Sequence, residues 1–174
     1  MRIFLHVIVW TAFLCFCASA LAQRAHDQVW ISAGAGLTAR ELFLGASQGL
    51  TVSYNSNSLF VSGRYVNADR LGTLNFSGPS PYLDYFQEYS LNFGYAKHTE
   101  SGLYLASVGV GELRGKYNKE RQNASFKTLC IPLTGQVLWK LSQSFGIGPT
   151  FSFNLNGKEI FAGVWFNLQV MMHI

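Results

Sequence analysis

Three histidines and one cysteine beyond position 22 are the first residues to test for a general base, a nucleophile or a metal ligand. They are His26, His98, His173 and Cys130. Nucleophilic catalysis requires a hydroxyl or thiol within reach of a base, and a zinc site requires ligands at characteristic spacings. None of the four residues stands in such a pattern. The sequence therefore predicts no enzyme, no metal site and no cofactor.

The first 22 residues have the pattern of an export signal. Arg2 precedes an apolar run over 3–17, and the small residues of Ala20-Leu21-Ala22 form a cleavage pattern. We predict a signal peptide over 1–22 and one domain over 23–174, which is 152 residues (174 minus 22). An uncleaved anchor is less favoured, because a spanning helix needs ~20 apolar residues.

The composition of 23–174 excludes some functions. It holds 12 basic residues (13 minus Arg2) and 9 acidic residues, a net charge of +3. So small an excess, without a basic stripe, does not indicate a nucleic-acid partner. Cys15 and Cys17 lie in the predicted signal, so Cys130 has no partner for an internal disulfide.

Alternation of apolar and polar residues predicts an all-β chain. The hairpin 88–111, with its turn at 97–102, is the clearest example: Tyr89, Leu91 and Phe93 alternate with Ser90 and Asn92. Counting its two arms, eight segments alternate in this way. The other six cover 29–37, 49–54, 59–66, 127–139, 145–154 and 160–172.

The two faces of these strands differ in a way that indicates lipid outside. The polar face consists of Ser, Thr, Gly and Asn, which suit the crowded interior of a small barrel. Of the 21 charged residues (12 plus 9), only Arg64, Glu88 and Lys127 fall inside the segments. We predict an eight-stranded antiparallel up-and-down transmembrane β-barrel without an aqueous channel. A soluble, lipocalin-like periplasmic barrel binding an apolar ligand remains the alternative, and it predicts an apolar interior.

The connections and the aromatic residues give the predicted orientation. Connections over 39–48, 67–85 and 112–126 are long, whereas those at 55–58, 97–102 and 140–144 are short. Long outer loops and short periplasmic turns are typical of outer-membrane barrels. Five aromatic residues on the apolar face stand beside the short turns and predict a girdle at the periplasmic interface: Tyr54, Tyr95, Tyr104, Trp139 and Phe145.

Short motifs add a family resemblance to this pattern. They are the signal end at Ala22 before Gln23, Cys130-Ile131-Pro132-Leu133, Gly148-Pro149 and the alternating stretch 160–174. With the strands, they make the chain similar to small outer-membrane barrels of the OmpA/OmpX type, and more narrowly to PorT-like barrel proteins. The resemblance implies the outer membrane of a Gram-negative-type bacterium, contact with its lipid, and insertion by the barrel assembly machinery.

Three local predictions follow from the strands. Arg64 and Glu88 lie on the inner face of neighbouring strands, and we expect a lumen ion pair, because a buried charge without a partner is costly. Pro132 cannot donate to the ladder, so we expect a bulge there. The loop 67–85 carries exposed apolar residues that could bind a partner or cover the barrel mouth: Leu71, Leu74, Phe76 and Tyr82.

The predicted role is non-enzymatic: structural, adhesive, or accessory to a surface or secretion machine, with an unidentified protein partner outside the cell or in the periplasm. A lipid A-modifying enzyme is the other alternative. It would need its base at the outer leaflet, whereas His98 lies on a predicted periplasmic turn and His26 and His173 lie near the termini. The charged stretch 112–121 is interpreted as a solvated loop.

Overall fold

The computed structural model describes residues 27–40, 43–70, 82–119, 122–157 and 160–173. These residues form one closed barrel in which each strand pairs antiparallel with the next and β8 pairs with β1. The predicted eight-stranded up-and-down barrel is confirmed. The predicted signal peptide lies outside the described residues. The strands are β1 Asp27–Arg40, β2 Phe43–Ser56, β3 Leu59–Arg70, β4 Tyr82–His98, β5 Gly102–Lys119, β6 Gln122–Lys140, β7 Phe145–Asn156 and β8 Ile160–His173.

The predicted division of faces is also confirmed. Along β3, Ser62, Arg64 and Val66 are buried, and the residues between them are more exposed. The same alternation holds along β7, where Ser152 is buried and Phe153 is exposed. Inward residues fill the barrel, and outward residues cover its surface. Among the described residues there is no helix that is long and apolar enough to cross a membrane.

The two ends of the barrel differ in their connections. The turn end holds both described termini and the short connections at 57–58, 99–101 and 141–144, as predicted. Asn57 adopts a φ of 61° in the tight β2–β3 turn, a conformation that asparagine tolerates. The opposite end, called the loop end here, holds the other four connections.

Two of the three long loops predicted at the loop end are wrong. β1 and β2 pair as far as Arg40↔Phe43, and β5 and β6 pair as far as Lys119↔Gln122. Most of 112–126, interpreted from sequence as a solvated loop, is therefore strand. Backbone pairing in a hairpin does not depend on apolar side chains, so the ladder continues where the apolar alternation stops. The third predicted loop, 67–85, corresponds to the shorter connection 71–81 between β3 and β4.

The bulge predicted at Pro132 is also wrong. Pairing between β5 and β6 is interrupted, but Val108↔Leu133 and Gly111↔Cys130 on either side keep one register. The missing pairs are those that would use the absent N–H of Pro132. Pro149 interrupts the β6–β7 ladder in the same way, while it remains paired with β8. Among the described strands, the register shifts only between Leu83 and Tyr85 in the β4–β5 pair.

The interior has three layers. A turn-end cluster consists of Trp30, Phe60, Ala96, Leu103, Leu138 and Met171. A loop-end cluster consists of Ala68, Phe86, Leu113, Cys130 and Phe161. Between them lies a polar layer that includes Ser32, Ser62, Arg64, Glu88, Asn92, Ser152, Asn154 and Asn167. The sequence predicted small polar residues inside; they fill the middle layer, whereas large apolar side chains occupy much of the layers at both ends.

Glycines next to aromatic rings leave space for these apolar clusters inside the barrel. A Cβ added at Gly94 would overlap the Phe60 ring and the Ala106 carbonyl oxygen, and one added at Gly115 would overlap the Phe126 ring. Large side chains can therefore enter a narrow barrel where a facing strand has a glycine.

We predict that Gly94→Ala destabilises the barrel by about 1–3 kcal/mol, because the Phe60 ring must move out of its packed position. Gly135→Ala is the matched control, since a Cβ there has no neighbour within 4 Å, and we expect a change within about 0.5 kcal/mol. Urea unfolding of both variants in lipid vesicles measures the difference. Equal stabilities would contradict this account of the packing.

Candidate functional site

The polar layer is organised around one buried pair of opposite charges. The structure places Arg64 Nη2 3.6 Å from Glu88 Oε2, with side-chain exposures of 6% and 2%. In the β3–β4 ladder Arg64 faces Ser90 and Glu88 faces Val66, so the two charged residues are diagonal neighbours on the inner face. The two residues selected from sequence therefore lie together in the lumen.

Hydrogen bonds connect this pair to the opposite wall of the barrel. Arg64 donates to Thr134 Oγ1 at 2.8 Å on β6 and to Ser152 Oγ at 2.9 Å on β7. Asn154 Nδ2 donates to Glu88 Oε2 at 2.7 Å. Such charge-assisted bonds offset the cost of removing both ions from water.

Two further residues complete the surroundings of the pair. Ser90 Oγ donates to Glu88 Oε1 at 2.9 Å. The Arg64 guanidinium lies 4.9 Å from the centroid of the Trp165 ring, within the range of a cation–π interaction. Trp165 is buried on the inner face of β8, and its contact with Arg64 was not predicted from the sequence. The period-two alternation shows which residues point into the lumen, but it does not show which of them are in contact across it.

A small cavity lies beside the pair. It has a volume of about 50 Å³, and its lining includes Ser62, Arg64, Asn92, Thr134 and Asn167. Asn92 Oδ1 and Trp165 Nε1 are buried without a hydrogen-bond partner among the described residues. A space of this size and polarity suits a few water molecules, and it is far smaller than the ~300 Å³ of a small ligand pocket.

The apolar clusters close the lumen on both sides of this cavity. Phe86 and Phe161 stack at 4.7 Å between ring centroids in the loop-end cluster. Trp30 and Phe60 lie 6.0 Å apart in the turn-end cluster. The described lumen thus has a polar middle with a small cavity between two apolar layers.

The outward face is the largest apolar surface of the molecule. Exposed Leu, Val, Ile and Phe side chains occur on all eight strands; Phe93 is 57% exposed, Val110 66% and Phe166 55%. A water-soluble monomer rarely exposes a contiguous apolar patch above a few hundred Å². Charged outward residues lie at the borders of this apolar belt, with Lys97 at the turn end and Arg114 at the loop end.

The five predicted girdle residues all lie on the outward face near the turn end. Tyr54 donates its hydroxyl to Asp27 at 2.6 Å. The other four are about half exposed: Tyr95, Tyr104, Trp139 and Phe145. A second aromatic group near the loop end was not predicted from the sequence. It includes Tyr65 and Tyr89, whose ring centroids are 5.0 Å apart and which lie inside the predicted segments, and Tyr85, which lies beyond them.

The remaining sequence candidates are not brought together. Leu71, Leu74 and Phe76 lie outside the described residues, and Tyr82 begins β4. His98 lies at the turn end, with its ring 5.9 Å from Trp30 and Nε2 3.4 Å from Asn55 Nδ2. His26 lies outside the described residues, and His173 ends β8. Within the described ranges no group of three or more His, Cys, Asp or Glu could hold a metal ion.

Three solved structures share this architecture. Neisserial surface protein A has a TM-score of 0.63 at 13% identity, over 83% of this chain and 96% of that one. Ail, the attachment invasion locus protein of Yersinia pestis, has a TM-score of 0.59 at 13% identity, over 84% of this chain and 97% of that one. The N-terminal barrel domain of Pseudomonas aeruginosa OprF has a TM-score of 0.65 at 8% identity, over 86% of this chain and 100% of that one.

The chain has the fold of the small eight-stranded outer-membrane barrels. At these identities the likeness concerns the fold alone. No family model matches the chain, and no curated protein matches it. The fold thus agrees with the OmpA/OmpX resemblance, whereas the narrower PorT-like assignment stays a prediction.

We predict energetic coupling between Arg64 and Glu88. Arg64→Gln or Glu88→Gln alone should each cost about 3–5 kcal/mol, because each leaves a buried charge without its partner. The double variant should cost less than the sum by about 1–3 kcal/mol. Urea unfolding in lipid vesicles gives the double-mutant cycle.

The exposed pair Glu112 and Arg114 is the matched control for this cycle. Glu112 contacts Arg114 and Lys127 at the loop end, where the Arg114 side chain is 54% exposed. The coupling there should stay below about 1 kcal/mol. If the losses in unfolding free energy of the two single variants add up in the double variant, Arg64 and Glu88 do not form an energetically coupled pair.

Proposed function

We propose that the chain is a non-enzymatic outer-membrane β-barrel protein of a Gram-negative-type bacterium, with a structural, adhesive or accessory role at the cell surface. The observation that carries this proposal is the apolar belt around a closed barrel whose polar residues lie inside. The predicted export signal over 1–22 supports the same location.

The dimensions of the belt agree with a bilayer. On β8 the outward residues are apolar from Ile160 to Met172, and on β4 no outward polar residue occurs between Gln87 and Lys97. A transmembrane strand needs about 9–11 residues at a tilt near 45°. A lipid-facing Arg or Lys costs about 2–4 kcal/mol at the midplane, which accounts for outward charges only at the borders.

The turn end faces the periplasm in this proposal, and the loop end faces outward. Short turns and both described termini at one end are typical of that orientation. The girdle of Tyr95, Tyr104 and Trp139 then lies at the periplasmic interface. The barrel assembly machinery is the expected partner during insertion.

The role at the surface rests on the loop end. β4–β5 pairing continues to Tyr82↔Asn118 and β5–β6 pairing to Lys119↔Gln122, whereas β6–β7 pairing begins only at Cys130↔Asn156. β5 and β6 therefore extend beyond the loop end of β7. The names of Ail and neisserial surface protein A support a surface role by fold analogy only.

The two alternative functions are less well supported. A carrier of an apolar ligand requires a ligand-sized cavity of ~300 Å³ or more. The cavity beside Arg64 has only about 50 Å³, and most of the residues that line it are polar. A lipid A-modifying enzyme requires a base at the outer leaflet. His98 lies at the turn end, opposite to that leaflet.

A heat-modifiability gel on detergent-extracted outer membranes tests the proposal. A folded barrel stays compact in detergent, so we expect different migration before and after boiling, with the protein absent from the soluble periplasm. Freely soluble protein without a shift would contradict membrane insertion and would return the soluble carrier as the explanation.

A further inference from the structure

The loop-end border of the apolar belt carries a group of cations on one outward face. Arg114 on β5 and Lys127 on β6 occupy directly facing positions in the ladder, and Lys116 is the next outward residue on β5. Like charges at facing positions repel each other. A strand pair that holds this arrangement therefore needs an anion nearby.

One carboxylate supplies only part of that negative charge. Glu112 contacts Arg114 through its Oε1 and Lys127 through its Oε2, the latter at 2.7 Å. Three cations against this one carboxylate leave an excess of two positive charges on the patch formed by Glu112, Arg114, Lys116 and Lys127.

The two facing cations are open to a ligand. The Arg114 side chain is 54% exposed and that of Lys127 is 64% exposed. Arg114 donates its Nε–H to Glu112, and its guanidinium carbon lies 5.7 Å from the Tyr89 ring centroid. Its two terminal nitrogens carry four more N–H groups, in the fork geometry that suits phosphate oxygens.

The surface directly below the patch is apolar and exposed. Leu129, which faces Glu112 in the ladder, is 81% exposed, and Val110 is 66% exposed. Both belong to the apolar belt. A ligand that touches the whole surface must therefore have acyl chains at one end and an anion at the other.

We propose that this patch binds the phosphate of a phosphorylated lipid headgroup in the outer leaflet. The acyl chains lie against Leu129 and Val110, and the phosphate lies between Arg114 and Lys127, where Glu112 competes with it. The proposal rests on the membrane location proposed above and adds a lipid class to it. Basic residues at a bilayer surface attract anionic headgroups in the same way.

Native mass spectrometry of the folded barrel in detergent tests the site. The probes are dioctanoyl phosphatidic acid, dioctanoyl glycerol of the same chain length, and inorganic phosphate. We expect retention of phosphatidic acid well above that of the phosphate-free lipid, and about tenfold lower retention in the double variant Arg114→Gln, Lys127→Gln.

The matched control removes two cations from the other end of the barrel, Lys97→Gln with Lys140→Gln, and should retain phosphatidic acid like the unchanged protein. Glu112→Gln should raise retention, because the competing carboxylate is gone. Equal retention by the two double variants, retention by Glu112→Gln that stays equal or falls, or full displacement by inorganic phosphate would each overturn the proposal.

The heat-modifiability gel separates this proposal from the one on which it rests. Each variant must show the shift of a folded barrel before its lipid retention is compared. If the unchanged protein lacks the shift, the proposed membrane location is contradicted. A chain that shows the shift but retains both lipids equally contradicts the phosphate site alone.

Discussion

Closure of the barrel is the constraint on which the rest of the structure depends. β1 pairs with β8 from Gln28↔His173 to Ala39↔Ala162, so the sheet has no open edge along this seam. In a bilayer every backbone N–H and C=O must find a partner within the protein, and a closed sheet achieves this. Closure also separates an inside from an outside, so alternation along each strand becomes a division between lumen and surface.

The charged residues of the lumen need hydrogen-bond partners inside the barrel. The side chains of eight strands converge there, and a charge can lie among them only with partners. Arg64 and Glu88 have these partners on β6 and β7 through Thr134, Ser152 and Asn154. The pair thus links strands that are not neighbours in the sheet. The apolar clusters at both ends keep bulk water away from these bonds, which strengthens them.

Much of the fold could be predicted from the sequence, because the period-two alternation of 23–174 determines both strand number and face. The strand ends could not be predicted, because β5 continues beyond Gly111 and β6 begins before Lys127. Backbone pairing carries both strands on to Lys119↔Gln122, with charged residues on the outward face. The effect of Pro132 was predicted wrongly, because a missing N–H can leave a gap in the ladder without changing the register.

The site was predictable only in part. Arg64 and Glu88 could be selected because both are charged and both lie on the inner parity of adjacent strands. Their partners across the lumen depend on the stagger of the closed barrel, which no local pattern records. Phe60 and Phe161 were missed as interior residues for a related reason: an aromatic ring fits inside only where a facing strand has a small residue, such as Gly94 for Phe60.

Tryptophan fluorescence in vesicles that contain brominated lipid tests most directly which face meets lipid. Trp139 is 52% exposed on the outward face, whereas Trp30 is 1% exposed and Trp165 is 5% exposed in the lumen. Variants of the signal-free chain that keep one of these three tryptophans, with phenylalanine at the other two, separate the signals. The account predicts strong quenching of Trp139 and little quenching of Trp30 and Trp165. Quenching of the lumen residues with Trp139 unaffected would contradict it.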